Sequence, residues 1–459
     1  MVRFAVLKFG GSNFKSVNDI KHVVSILSSL KEVSKDTRYV IVVSALYGIT
    51  DKLVNALKNL QDLEIDNFFQ ELYEFHRNFL GSDDERLKSV IFSIEDFLQG
   101  AKLIGRVPDF VYDTVVSHGE RCSAYVLSEI FRRNGLDFSL IDPKDFIVTD
   151  GKFGGATIIL ERTEENILTN MDKWLQNDVI VPGFYGASPN GDITILGRGG
   201  SDYTATALGY CLRAAYVALF KDVPGFLTGD PRAVSRPFLV SALSYDEADE
   251  LSYFGAKVLH YNAVDPLRLR DIPLYICDVT NGFNLNKCTR IVPEKTKVNY
   301  CVKSISSSRD IAIVQFKGRN LGRVPGVLGE IAKAVANMGI NIKFVITSQT
   351  CISLIVSRND GERVMKLAES LRLNEIEEVT FKHDKALIAV VGEGLLDHHG
   401  IASRIFKAVA DARINVEMIS AGASEVALYF IVPEEAEIEA VRRVHDEFWG
   451  GSEYDKNDR

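Results

Sequence analysis

From the N-terminus to about residue 290, short apolar runs alternate with longer segments of helical period. Runs too short to be helices, separated by stretches long enough to cross over, predict an α/β domain with a mostly parallel sheet covered by helices. The candidate strands are Phe4 to Leu7, Val40 to Val43, Phe138 to Ile141, Val179 to Pro182, Ala215 to Phe220 and Pro273 to Cys277. Between Asp51 and Val115 the runs give way to long amphipathic stretches such as "NALKNLQDLEIDNFFQELYEFHRNFL". These predict a helical insertion over one end of the sheet.

The chain changes character near Thr296 to Arg309, where "SISSSRD" reads as a linker. An internal repeat follows. "PGVLGEIAKAVANMGINIKFVIT" (Pro325 to Thr347) and "HGIASRIFKAVADARINVEMISA" (His399 to Ala421) share eight identities at a constant offset of 74. Each copy is preceded by an apolar strand ("IAIVQF", "ALIAVV") and followed by another ("CISLIVS", "EVALYFIV"). Two copies of one small α+β module are therefore expected. Their open strand edges predict association within or between chains.

A chain of 459 residues is long enough for two or three domains. With 62 acidic against 53 basic residues, a general affinity for nucleic acid or anionic lipid is not expected. Small molecules and copies of the same chain are the natural partners. The six cysteines form no CxxC pair or dense framework and the eight histidines no HExxH spacing, which indicates neither a disulfide scaffold nor a zinc site. No apolar run reaches the roughly 18 residues of a membrane span, and "MVRFAVLKFGG" lacks a signal segment. A soluble protein of the reducing cytoplasm is expected.

Several stretches carry chemistry. "LKFGGSNF" (Leu7 to Phe14) places Lys8 and a glycine pair where the first strand gives way to a helix. Backbone N–H groups at such a point favour an anion, although on turn chemistry alone this is equally a Gly-Gly turn with a surface lysine. "GFYGASPNGDITILGRGGSDYTATALG" (Gly183 to Gly209) leads a second glycine-rich, charged run into a small-residue helix. There Arg198 can offer a planar fork to a carboxylate or phosphate, and Asp202 can bind an ammonium group or hold a lysine in place. "SHGERCSAYVLSEIF" (Ser117 to Phe131) puts Glu120 in what reads as the first turn of a helix, where the dipole alone would also select an acid. "KDVPGFLTGDPR" (Lys221 to Arg232) ends a strand in a charged turn, and "LSYFGAKVLH" (Leu251 to His260) sets Lys257 among apolar neighbours where it can snorkel. Two glycine-rich, charge-bearing helix starts in one α/β domain suggest two ligands brought face to face.

In order and spacing these stretches resemble the aspartokinase family, within the amino-acid kinase fold. The resemblance runs from Lys8 to about Phe448 and rests on Lys8 to Gly11, Gly119 to Arg121, Leu196 to Tyr203, Asp222 to Gly225 and Phe254 to His260. The repeated modules resemble that family's paired, ferredoxin-like ACT domains. The resemblance implies a catalytic domain over 1–290, a linker over 291–308 and ACT domains over 309–380 and 381–459. It also implies ATP-dependent phosphorylation of the L-aspartate side-chain carboxylate to 4-phospho-L-aspartate. That is the first step toward lysine, threonine and methionine, with Mg²⁺ bridging the phosphates and no metal site made by the protein. The catalytic residues implied are Lys8, Lys257, Arg198 and Asp202. ATP contacts would come from Lys8, Phe9, Gly10, Gly11, Ser12, Lys221, Asp222, Leu227, Arg232, Lys257 and Val258. Substrate contacts would come from Ser44, Thr50, Glu120, Arg198, Gly199 and Ser201. A homodimer or higher homo-oligomer, with lysine or threonine as an ACT-bound effector, is also implied.

The chain departs from the family pattern at Lys221, where threonine is usual, at Leu227, where tyrosine is usual, at Tyr261 after His260, and in "GGSNF". The first two fall at the implied nucleotide pocket. Two other readings stand beside the aspartate kinase: a kinase of another small amino acid on the same fold, and a catalytically inactive amino-acid sensor. A fused homoserine dehydrogenase is not expected, because "VGEGLLDHHG" lies inside a module rather than opening a dinucleotide domain.

Overall fold

The computed structural model describes residues 2–450 apart from 35, 256–257, 261–262, 294–300, 372 and 396. The chain forms two compact units. The first comprises Met1–Phe226, Leu239–Asp249 and Lys257–Thr296, the second Leu227–Phe238, Glu250–Ala256 and Lys297–Arg459.

The strands of the first unit are β1 (Arg3–Phe9), β2 (Thr37–Val43), β3 (Ser139–Leu140), β4 (Val179–Pro182), β5 (Tyr185–Ala187), β6 (Ile193–Ile195), β7 (Tyr216–Lys221), β8 (Ala242–Ser244), β9 (Leu274–Asp278) and β10 (Thr289–Val292). Its helices are α1 (Val17–Val33), α2 (Ile49–Lys58), α3 (Ile65–Leu80), α4 (Glu85–Phe92), α5 (Glu95–Ile104), α6 (Asp109–Arg133), α7 (Leu160–Thr169), α8 (Met171–Gln176), α9 (Gly200–Cys211), α10 (Tyr245–Tyr253) and α11 (Asp265–Arg268). Eight strands form one sheet in the order β3-β4-β2-β1-β7-β9-β10-β8, and β5 pairs with β6 as a separate hairpin. All neighbours in the large sheet are parallel except β9 and β10.

All six expected strands are present. They read as unbroken apolar runs because helices cover both faces, so that β1 is buried from Phe4 onward. The expected insertion is α2 to α6, whose apolar faces meet in rings such as Phe69 on Phe92, 5.2 Å apart. One expectation is corrected: Cys277 and Cys288 are disulfide-bonded. The antiparallel β9–β10 pairing sets Thr289 opposite Ile276 and so brings the flanking cysteines together, a juxtaposition that no short motif announces.

The second unit holds β11 (Ser304–Ser308), β12 (Ala312–Lys317), β13 (Ile342–Thr347), β14 (Cys351–Val356), β15 (Glu378–Lys382), β16 (Lys385–Val391), β17 (Met418–Ala421) and β18 (Ala427–Pro433). Its helices are α12 (Val327–Asn337), α13 (Gly361–Ser370), α14 (Ile401–Asp411) and α15 (Glu437–Trp449). Two antiparallel sheets result, β13-β14-β12-β15 and β11-β16-β18-β17. The repeat appears as the equivalent helices α12 and α14, each entered through a left-handed glycine, Gly326 at φ 95° and Gly400 at φ 86°. β11 lies in the stretch expected to be a linker. Its serines hide an edge strand whose Ile305 is buried in the core of the second module. Residues 227–238 join that core as well, through Ala233, Val234 and Phe238.

Candidate active site

The glycine pair after β1 is required by close packing. A Cβ on Gly11 would lie 2.8 Å from the Ala45 carbonyl oxygen, and one on Gly10 3.2 Å from Lys8 Nζ. The Gly10 amide donates to Asn13 Oδ1 at 2.9 Å, which closes a short turn before α1. Lys8 is thereby held at the end of β1 with little room around it.

Asp202 sits in the first turn of α9, which lies over β1 and β7. Its carboxylate meets Lys8 Nζ at 2.6 Å and Lys221 Nζ at 2.5 Å. The Lys8 and Asp202 side chains are only 8% and 6% exposed. Burial lowers the Lys8 pKa, which the Asp202 charge partly offsets and the Lys221 charge reinforces. The two ammonium groups outweigh the burial of Asp202 and hold its carboxyl below the usual carboxylate range. Each oxygen of Asp202 thus faces one lysine, Oδ2 through a hydrogen bond from Lys221 and Oδ1 through the ion pair with Lys8 alone.

Glu120 requires a correction. The helix that carries it begins at Asp109, after Pro108, so Glu120 lies in mid-helix and the dipole of a helix start does not explain it. Gly119 disguised this continuity. It is there because α2 crosses α6 closely: a Cβ on Gly119 would be 3.1 Å from Ala45 Cβ and from Ile49 Cγ2. Glu120 is buried, and burial pushes its carboxyl up to about 8, although the Ala45 backbone and the Lys8 charge favour the carboxylate. Its Oε2 has no hydrogen-bond partner among the described residues.

These groups surround one cavity of about 340 Å³. Its lining includes Lys8, Gly11, Ser12, Ser44, Thr50, Glu120, Arg198, Gly199, Ser201 and Asp202 from the expected set, together with Tyr47 and Phe184, which sequence reasoning missed. Phe184 takes φ 80°, and its amide donates to Thr204 Oγ1 at 3.0 Å. Asp113 was missed too. It accepts from the Gly154 amide at 3.0 Å and from the Ile195 amide at 2.9 Å, which tethers the hairpin leading to Arg198. A carboxylate amid "FVYDTVV" was the available signal.

Other expected residues lie elsewhere. Phe9 is core, its ring stacked on Phe220 at 4.6 Å. Asp222 is exposed, 3.7 Å from Lys15. Leu227 and Arg232 belong to the second unit, where Arg232 pairs with Asp230. Val258 is half-buried in the first unit, and Lys257 lies outside the described residues.

Residues 3–278 match the model of the amino acid kinase family, and residues 314–370 and 388–448 match an ACT domain model. The chain is 31% identical over 469 residues to the chloroplastic aspartokinase 1 of Arabidopsis thaliana, covering 97% of this chain and 80% of that protein. It is 29% identical to the chloroplastic bifunctional aspartokinase/homoserine dehydrogenase of Daucus carota, covering 97% of this chain and 51% of that protein. The chain thus spans about half the length of the bifunctional relatives it matches. A crystal structure of E. coli aspartokinase III in complex with aspartate and ADP superposes with a TM-score of 0.81 at 27% identity, over 97% of this chain and 100% of that one. The chain belongs to the amino acid kinase family, among the aspartokinases whose kinase domain is followed by paired ACT domains.

Proposed function

We propose that the chain transfers the γ-phosphoryl group of ATP to the side-chain carboxylate of L-aspartate, giving 4-phospho-L-aspartate and ADP. The observation that carries this reading is the buried Oε2 of Glu120, which has no hydrogen-bond partner among the described residues and lines the same cavity as Lys8 and Arg198. An α-ammonium group fits Glu120, an α-carboxylate fits Arg198, and Ser44, Thr50, Gly199 and Ser201 complete the amino-acid side of the cavity. The side-chain carboxylate then attacks phosphorus as the bond to the ADP oxygen breaks. No base is needed, because the nucleophile is already an anion. What the reaction needs is alignment and positive charge, and Lys8 supplies the charge beside the glycine turn. Lys257 and Val258, with Gly10, Gly11, Ser12 and Asp222, are proposed to serve the nucleotide.

Mg²⁺ accompanies such transfers when bound to the phosphates, where it neutralises charge. No cluster of three metal-binding side chains occurs among the described residues, and Asp202 is taken up by two lysines.

The ACT modules are proposed to bind lysine or threonine and to pair between copies of the chain. β13 and β17 lie at sheet edges with Val345 and Ile419 exposed, which supports such pairing. The function is tested by incubating the protein with ATP, Mg²⁺ and aspartate, glutamate or N-acetylglutamate and following ADP release. Release with aspartate alone supports the proposal. Release with another acid, or with none, points to the other kinase or to the inactive sensor.

A further inference from the structure

Lys221 ends β7 at a position where a neutral side chain would leave a simple Lys8–Asp202 pair. In the register of β1 with β7, Lys8 stands beside Leu219. Side chains alternate along a strand, so Lys221, two residues on, projects from the same face as Lys8. α9 lies over that face and places Asp202 between the two ammonium groups, with one carboxylate oxygen for each. The Lys221 side chain is 18% exposed, the most open of the three.

One carboxylate between two ammonium groups leaves a positive charge uncompensated. With Lys8 alone, the buried pair would be neutral and its charge spent on Asp202. We infer that Lys221 is a positioning residue for phosphoryl transfer: by holding one oxygen of Asp202, it leaves the Lys8 ammonium only partly neutralised and directed to the cavity. This rests on the proposed kinase reading of the site. Lys221 acts through Asp202 and Lys8, so its loss falls on turnover more than on aspartate binding.

The same arrangement sets a pH dependence. Among the described residues, the charged groups facing Lys8, Asp202 and Lys221 are Glu120 of α6, Arg198 before α9 and His260. Removing Lys221 takes a like charge away from Lys8 and raises the pH at which Lys8 loses its proton.

The test compares Lys221→Met and Lys221→Arg with the unaltered protein, with circular dichroism to confirm folding. Lys221→Met is expected to lower kcat about 10-fold or more while KM for aspartate changes less than about 3-fold. Its alkaline limb should move to higher pH, and Lys221→Arg should restore most of the rate. In parallel, NMR of ¹³C-lysine-labelled protein follows the Lys8 side chain, assigned through Lys8→Arg. Its titration should move upward in Lys221→Met. An unchanged kcat, equal losses in the Met and Arg variants, or an unmoved Lys8 titration overturns the inference. Absence of aspartate phosphorylation in the unaltered protein defeats the kinase reading instead, and the Lys8 titration still decides the role of Lys221.

Discussion

The Ala45 backbone favours the charged form of Glu120, yet burial prevails, and the Oε2 of Glu120 is buried with no hydrogen-bond partner among the described residues. Burial holds the carboxyl protonated up to about pH 8, against an ordinary value of 4.5. Binding an ammonium group there favours the carboxylate and expels the proton. Aspartate binding at pH 7 should therefore release up to about one proton, read by calorimetry in buffers of different ionisation enthalpy. Glu120→Gln should abolish the release and raise KM for aspartate far more than KM for ATP. Equal effects on both substrates would assign Glu120 a structural role.

The same group has a stability signature. The folded protein keeps a proton at Glu120 that the unfolded chain loses above about pH 4.5, so this group's contribution to stability falls as pH rises toward 8. Glu120→Gln should flatten that part of the stability profile in urea melts taken across the range. An undiminished slope would show that other groups set it.

Gly119→Ala tests the crossing of α2 and α6. The added methyl would lie 3.1 Å from Ala45 Cβ and Ile49 Cγ2 and 3.3 Å from Leu53 Cδ1, closer than packed carbons sit. A cost of about 1–3 kcal/mol is expected in urea unfolding. KM for aspartate should rise too, because Gly119 directly precedes Glu120 and the added methyl would displace it from Ala45, which lines the same cavity. A stable variant with unchanged KM would show that the crossing yields freely.

Thr228 Oγ1 and His445 Nε2 are 2.9 Å apart in the second unit and join residues 227–238 to α15. Thr228→Val leaves a buried imidazole nitrogen without its partner and should cost about 1–3 kcal/mol. Burial holds the His445 pKa below 6.5, so its contribution is complete above that value and declines as pH falls below it. Deleting the chain from Ser307 goes further. It removes α15 and the strands that cover Ala233, Val234 and Phe238, and should abolish any response to lysine or threonine. Dye binding and light scattering should then report exposed apolar surface. A monodisperse truncated protein that still responded would contradict this placement of control.

Sheet and repeat were legible because their signals are local. A buried parallel strand is a short apolar run, as from Val40 to Val43, and a duplicated module returns the same letters at Gly326 and Gly400. What the sequence hid depends on partners far along the chain. β11 reads as a loop because its serines lie on an edge strand, and Cys277 finds Cys288 only through the β9–β10 register. Glu120 resembled a helix-start acid until Gly119 proved to be a packing glycine inside one long helix. Lys8, Arg198 and Asp202 were visible as charges beside glycines. That Lys221 shares Asp202 follows only from the register of β1 with β7.

The central claim is that Lys8 supplies charge to a phosphoryl group moving onto aspartate. It is tested most directly by trapping the acyl phosphate with hydroxylamine and measuring aspartyl hydroxamate for the unaltered protein and for Lys8→Ala. Asp202 keeps Lys221 in that variant, so the fold should survive. The account predicts hydroxamate formation that depends on both ATP and aspartate, and a loss in Lys8→Ala of about 3 kcal/mol in transition-state stabilisation, roughly 100-fold in kcat. A folded Lys8→Ala variant that turns over near the unaltered rate would contradict it.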